Sequence, residues 1–470
     1  SSRKNNSDRY REFIAHVAPT LLTSLKALGS KVDIFDVVIG DIETTTASPA
    51  YMHIAMVSGE YPPRWGGIGS VVYHLAGHLA ARGHNVSIIT RTHKGRAPAQ
   101  QGVSVIEVPW LKAPMAFTRS YGKHALRALK VLHKREPIDI VHTLLPLVSW
   151  TKKEYRMVEE TIAPIVSALN GSWIGEREGM RLAAKHRESA TWKNPNDLAI
   201  LTTAKWYAKY EQAGVSESSV CVAISESTKQ EFQRWYTPPE QWNCETVLYG
   251  VDHLVFRPLN SDDEEEQLEH EAIRKKYDAA DEDALCGRAS KETPLLLAVG
   301  RLVARKGHRT LLRAMPEILT KFPGARLCII GRGHMAKTLL KQAKKLGVGH
   351  AVFIRSGMSF EALAQHFRSA DLVVYPSYYE GQGLIPLEAL ASGTPVVTVN
   401  QPPLTEMIDS TVGELFETGN PSDLAKAVCR SLDDPEGRTA QALRGRDRVL
   451  NTYTYEHNAE DYEKIYLSLV

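Results

Sequence analysis

The chain has 470 residues, too many for one ordinary hydrophobic core, so two domains are expected. Apolar residues make up 43% and charged residues 24%, the profile of a globular protein with a sizeable core. A formal net charge of +3 is too small at this length to point to nucleic acid, so any basic partner surface has to be local.

Residues 1–50 read as an N-terminal extension, polar at first and then helix-like from Phe13 to Gly29, with T-T-T-A-S-P as a linker. No secretory apolar segment is visible, and no run of 18 apolar residues occurs anywhere, so neither export nor membrane spanning is expected. Five cysteines (Cys221, Cys244, Cys286, Cys328 and Cys429) are scattered, and none stands in C-x-x-C spacing. They read as reduced thiols of a cytoplasmic protein, not as a zinc site or a disulfide frame.

From residue 53 the pattern changes. H-I-A-M-V-S-G-E is a short apolar run ending in glycine, as in a buried parallel strand. The turn W-G-G-I-G follows, then a helix, then the strand N-V-S-I-I-T. Strand patterns recur at 103–108, 139–144, 164–169, 220–225 and 246–249, separated by helical patterns. Such alternation implies a doubly wound parallel sheet over residues 51–258. Residues 259–293 form a polar, acidic break that reads as a solvated helical hinge. Alternation restarts over 294–453, with strands at 295–300, 326–331, 351–354, 372–376 and 395–399. Ligands of open α/β sheets bind outside the carboxyl ends of the strands, so the informative residues should follow strands.

After the strand ending at Val299 comes G-R-L-V-A-R-K-G, where Arg301 and Lys306 can place two cations around a diphosphate. G-R-G-H (331–334) and R-S-G, with Arg355 near a nucleotide base, are weaker candidates of the same kind. The stretch Y-E-G-Q-G-L-I-P-L-E-A follows Y-P-S. Glu380 lies at the strand end, Gly381, Gln382, Gly383 and Leu384 form the turn, and Pro386 opens a helix that carries Glu388. Exposed amides at this helix start favour an anion nearby, and a glutamate there is expected to stay ionised. No Asp or His accompanies the two glutamates, so no metal is expected. Carboxylates beside phosphate-binding amides suit a sugar nucleotide, whose hydroxyls donate and whose phosphates accept.

With these residues the chain resembles the retaining glycosyltransferases of family 4, which have the two-domain GT-B architecture. The stretch 380–388 resembles their E-x7-E signature. In order, G-E-Y-P-P-R-W-G-G-I-G (59–69), S-E-S-T-K (225–229), Y-G-V-D-H-L-V-F-R-P (249–258) and V-G-R-L-V-A-R-K-G (299–307) also fit, over roughly residues 53–470. The resemblance implies that Arg301 and Lys306 hold the donor diphosphate in place of a metal, with no cofactor. Glu388 would bind ribose hydroxyls, and Glu380 the transferred sugar with the amides of 381–384. Gly66 and Gly67 would let backbone approach the donor, and helix 454–470 would cross back to the first domain.

The chain departs from the family at three places. Asn170 stands where the family has histidine, Gln382 where it often has an aromatic residue, and Tyr249 where it has asparagine. Asparagine can hydrogen-bond but cannot act as an acid or base, so Asn170 bears on donor choice and rate. It also motivates an alternative, a non-catalytic sugar-nucleotide-binding or scaffold protein; an epimerase or phosphorylase of the same architecture is another. A dinucleotide oxidoreductase is disfavoured, because the turn at 66–69 lacks G-x-G-x-x-G spacing.

The expected partners are a UDP- or GDP-linked hexose donor and a sugar, lipid-linked or small-molecule hydroxyl acceptor. Residues 117–135 form a basic amphipathic stretch, with Leu126, Leu129 and Leu132 on one face and Lys123, Arg127, Lys130 and Lys134 on others. It reads either as an ordinary helix with a solvated face or as a surface meeting anionic lipid at the membrane's inner face. His142, in D-I-V-H, has two readings, core packing or cleft lining.

Overall fold

The computed structural model describes residues 51–63, 66–188, 194–278 and 293–470. The expectations for the N-terminal extension, for Trp65, for Cys286 and for the far end of the acidic break fall outside these residues.

Among the described residues the first half builds a sheet of seven parallel strands in the order β3-β2-β1-β4-β5-β6-β7. The strands are β1 (His53–Val57), β2 (Asn85–Arg91), β3 (Val103–Val108), β4 (Ile140–Leu145), β5 (Ile165–Leu169), β6 (Val220–Ala223) and β7 (Cys244–Thr246). Helices α1 (Gly67–Ala81), α2 (Ala116–Arg135), α3 (Lys152–Thr161), α4 (Trp173–Lys185), α5 (Pro195–Glu217) and α6 (Glu226–Trp235) connect them. Every residue of β1, β4 and β5 is buried, which is why these strands read as unbroken apolar runs. The last strand lies earlier than the expected 246–249, since Cys221 pairs with Cys244.

The second sheet has the order β10-β9-β8-β11-β12-β13. Its strands are β8 (Leu295–Val299), β9 (Arg326–Ile330), β10 (Val352–Arg355), β11 (Leu372–Tyr375), β12 (Val396–Val399) and β13 (Gly413–Phe416). The edge strand β13 begins with glycine and buries only its end residues, so it lacks the apolar run that marked β11 and β12. In chain order from the inter-sheet segment, the remaining helices are α7 (Glu264–Asp278), α8 (His308–Lys321), α9 (Ala336–Lys345), α10 (Phe360–Ser369), α11 (Leu384–Ala391), α12 (Leu404–Met407), α13 (Pro421–Asp433), α14 (Pro435–Thr452) and α15 (Tyr455–Leu467).

The acidic break is not merely a solvated connector. Helix α7 buries Ile273 and Tyr277 in the second core, and Arg274 bonds Asp371 at 2.5 Å and the Thr293 carbonyl at 2.6 Å. The chain also returns to the first domain at its end. Val251 N donates to the Tyr453 carbonyl at 2.9 Å, and a Cβ at Gly250 would overlap the backbone of Thr454 and Tyr455. Helix α15 then buries Ala459, Tyr462 and Tyr466 in the first core. Its Glu463 accepts from His84 Nε2 at 2.8 Å and Arg82 Nε at 2.8 Å. No described helix is long and apolar enough to cross a membrane.

Candidate active site

Strands β8 and β11 are neighbours at the centre of the second sheet, on either side of the point where strand order reverses. The loops after them, Gly300–Gly307 and Pro376–Gly383, therefore meet where α/β sheets bind ligands. Gly307 sits at φ 72°, and a Cβ there would overlap the Pro376 carbonyl. Only glycine lets the two loops approach so closely.

This approach pairs Lys306 Nζ with Glu380 Oε1. The same carboxylate oxygen accepts from Tyr375 OH at 2.6 Å and Ser377 Oγ at 2.5 Å. Burial works against the charge on Glu380, but Lys306, Arg305 and these hydrogen bonds overcome it and hold the carboxyl at about 2. Burial lowers Lys306 to about 8, with Glu380 opposing the shift. Both members of the pair carry charge at neutral pH.

Two arginines flank the pair. Arg305 is 9% exposed; its Nε donates to Glu176 Oε1 at 3.0 Å and its Nη1 to the Tyr379 carbonyl at 3.3 Å. Arg301 lies 3.7 Å from the same Glu176, and its side chain is 65% exposed. A buried arginine fixed by Glu176 thus stands beside an exposed one that pairs with the same carboxylate. Sequence reading missed Arg305, Glu176, Tyr375 and Ser377. Arg305 was within reach, being next to Lys306 in a single turn of 3-10 helix, Ala304–Lys306.

Helix α11 starts at Leu384, behind Gly383 at φ 110°, with no side chain capping its N-terminus. Glu388 lies in its second turn, as expected, but its charge state is not the one expected. Burial pushes its carboxyl up to about 8, and Oε2 has no hydrogen-bond partner among the described residues. The two glutamates differ: Glu380 is held at Oε1 by three donors, and Glu388 Oε2 is an open acceptor among the described residues.

The three departures from the family pattern are bonded to one another. Asn170 Nδ2 donates to the carbonyls of Leu145 (2.8 Å) and Ala168 (3.2 Å), and its Oδ1 accepts from Tyr249 OH. Gln382, 3% exposed, closes the set across the domain boundary. It accepts from Tyr249 N at 2.8 Å and donates to the Tyr249 carbonyl at 3.1 Å. The Asn170 amide and the Gln382 carbonyl and amide are thus engaged within this network. Beside it, the Gly381 carbonyl accepts from Ser225 Oγ (2.7 Å) and Thr228 Oγ1 (2.8 Å) at the start of α6.

Gly66 precedes α1 in extended conformation next to Glu60, and a Cβ on Gly67 would stand 4.0 Å from Leu384 Cδ1 across the boundary. Gly67 thus faces the start of α11, and Gly66 faces Glu60. Arg355 does not join the cluster: it ends the edge strand β10 and lies over Phe353 and Tyr277. His142 is core, not acceptor surface. It is fully buried, stacks on Tyr462 and bonds Tyr466 OH at 2.6 Å, and burial lowers its pKa to about 3. Lys123, Arg127, Lys130 and Lys134 are exposed along α2, while Leu126 and Leu129 are buried. G-R-G-H places His334 Nε2 3.7 Å from Asp197 Oδ2 of the first domain.

Comparison with known proteins gives the family and the fold. Residues 287–448 match the model of Glycosyl transferases group 1, and residues 65–253 match Glycosyltransferase Family 4. Glycogen synthase of Mycobacterium tuberculosis is 28% identical over 439 residues, covering 89% of this chain and 95% of its own. The GDP-mannose-dependent alpha-(1-6)-phosphatidylinositol monomannoside mannosyltransferase of Mycolicibacterium smegmatis is 26% identical over 418 residues, 85% of this chain and 94% of its own. Among solved structures, sucrose-phosphate synthase from Thermosynechococcus elongatus superposes with a TM-score of 0.72 at 21% identity, covering 89% of this chain and 99% of that one. That likeness establishes the GT-B fold. Two family models in the expected order, relatives matched over nearly their whole length and a shared architecture place the chain among the family 4 glycosyltransferases, enzymes that use nucleotide sugars.

Proposed function

We propose that this enzyme transfers a hexose-type sugar from a UDP- or GDP-linked donor to a hydroxyl acceptor with retention, without a metal. The observation that carries the reading is the pairing of Glu380, held at one oxygen, with Glu388, whose Oε2 has no partner among the described residues, around one helix start beside Lys306 and Arg301. Glu388 would accept from the ribose hydroxyls. Arg301 and Lys306 would hold the diphosphate and take up leaving-group charge, the role a divalent ion plays elsewhere. Glu380, an anion fixed at one oxygen, would orient the sugar hydroxyls through the other. In a front-face step the C1–O bond to phosphate breaks, the acceptor oxygen bonds C1 on the same face, and its proton passes to the departing phosphate oxygen. The acceptor would be a sugar, a lipid-linked glycan or a small hydroxyl compound, with the basic face of α2 meeting anionic lipid.

A thermal-shift panel of UDP-, GDP- and ADP-hexoses, followed by the anomeric configuration of the product by NMR, tests this. One donor should raise the melting temperature and give the retained anomer. Glu388→Ala should abolish the shift, while Arg301→Ala and Lys306→Ala should cut turnover; near-normal kinetics in all three overturn the assignment. Loss of activity on metal chelation would overturn the metal-independent part, and an inverted anomer the mechanism. Salt-insensitive failure to bind anionic liposomes would remove the lipid contact.

A further inference from the structure

Glu380 is bracketed by two residues that the other domain holds. Gly381 is bonded by Ser225 and Thr228, and Tyr379 reaches into a slot in α4 and the turn before it. Ser172 N donates to the Tyr379 hydroxyl at 3.0 Å, and that hydroxyl donates to Glu231 Oε1 at 2.9 Å. Ser172 Oγ donates to the same Glu231 oxygen at 2.5 Å. The slot is lined by Gly171, Gly175 and Gly179. A Cβ on Gly171 would stand 3.0 Å from the Tyr379 hydroxyl and one on Gly175 at 2.5 Å. A Cβ on Gly179 would overlap Tyr379 Cβ, and the three atoms it would meet nearest all belong to Tyr379. Gly175 and Gly179 lie inside a helix, where alanine is the better helix former. Nothing within α4 therefore calls for glycine at 179; the incoming tyrosine does.

We infer that Tyr379 and the Gly171–Gly175–Gly179 slot form a latch that makes the position of Glu380 conditional on domain closure. The phenol enters the slot as the domains close. Its hydroxyl is then clasped by Glu231 and Ser172, and its carbonyl is held by Arg305. The peptide leading into Glu380 is fixed by these contacts. In the open state Glu380 keeps Lys306 but loses its aim, so the sugar is oriented only after water has been excluded. Tyr379 is thus a positioning residue. The kinetic part of this inference rests on the proposed transfer reaction; the closure part does not.

A double-mutant cycle on the full chain tests it. Gly179→Ala should lower kcat on the order of a hundredfold, as a displacement of about 1 Å does, with the donor KM little changed. In a Tyr379→Ala background the same substitution should change kcat by less than about twofold, because the clash is gone. Tyr379→Phe, which fits the slot without its hydroxyl, should fall between wild type and Tyr379→Ala and raise the ratio of donor hydrolysis to transfer. Small-angle scattering without donor should show Gly179→Ala more extended than wild type, and no added extension in the double variant; this arm reads the latch even if no donor is turned over. Multiplying effects of the two substitutions, or a compact Gly179→Ala protein with unchanged kcat, would overturn the latch.

Discussion

Glu388→Gln is the most informative single change, because structure predicts opposite effects on stability and on binding. Burial raises the Glu388 carboxyl from 4.5 to about 8, and among the described residues Oε2 has no partner to offset the cost. For a group whose folded pKa is the higher one, stability is greatest below pH 4.5, where both states keep the proton. It falls as the pH rises, and the loss is complete above about 8. The full interval is worth at most ~5 kcal/mol. Glu388 is only partly screened from water, so about 2 kcal/mol is expected. Glutamine keeps the shape and stays neutral. The empty variant should melt with wild type at pH 5 and roughly 2–4 °C above it at pH 8.5. Binding should run the other way. In the proposed role the carboxylate accepts from ribose hydroxyls, so wild-type donor affinity should climb toward pH 8, by up to about tenfold per unit. The variant's affinity should be lower and flat. Differential scanning fluorimetry and calorimetric titration from pH 5 to 8.5 read both. A melting difference that does not change with pH, or a glutamine variant with wild-type affinity and pH dependence, would refute the assignment of Glu388 as an unpaired acceptor for the donor.

Lys306→Met removes the cation but leaves Tyr375 and Ser377 on Glu380; kcat should drop on the order of 10²- to 10³-fold while the fold survives, as judged by circular dichroism. Asn170→His, which restores the family residue, should destabilise by about 1–3 kcal/mol in denaturant titration, since it forfeits the bonds to Leu145 and Ala168 and strands the Tyr249 hydroxyl. Adding Tyr249→Asn should recover part of that loss, and no recovery would mean the two positions are independent. Glu463→Ala leaves His84, whose side chain is 1% exposed, facing no carboxylate. It should cost about 2–3 kcal/mol and make α15 the first segment to exchange amide hydrogens.

What could be read from the sequence was local. Arg301 and Lys306 sit in one turn, and Glu380 and Glu388 bracket another, so spacing alone assigned them to strand ends. Strands such as β1 and β5 were legible because burial on both faces leaves an unbroken apolar run. What could not be read depends on partners far along the chain. Tyr249 meets Asn170 at a separation of 79 residues and Gln382 at 133. Singly, each looked like an altered ligand contact in a donor pocket. Together they form a closed hydrogen-bonded set, and a polar group that enters such a set is no longer available to a substrate. His142 stayed open between core and cleft for the same reason: Tyr466, which bonds it, lies 324 residues later in the chain.

The three departures therefore bear on closure before they bear on chemistry. Asn170 and Tyr249 belong to the first sheet's side of the boundary and Gln382 to the turn between the two glutamates, so their bonds tie that turn to the first domain. Ser225 and Thr228 on Gly381, and the α4 slot around Tyr379, do the same at the two residues that flank Glu380. A histidine at 170 or an aromatic residue at 382 would break these ties. Where the family has histidine, the chain carries a side chain that bonds Tyr249 and so helps fasten the domains. Asn170→His should then speed opening more than it alters the donor complex, and the rate of interdomain motion, set against donor affinity, distinguishes the two.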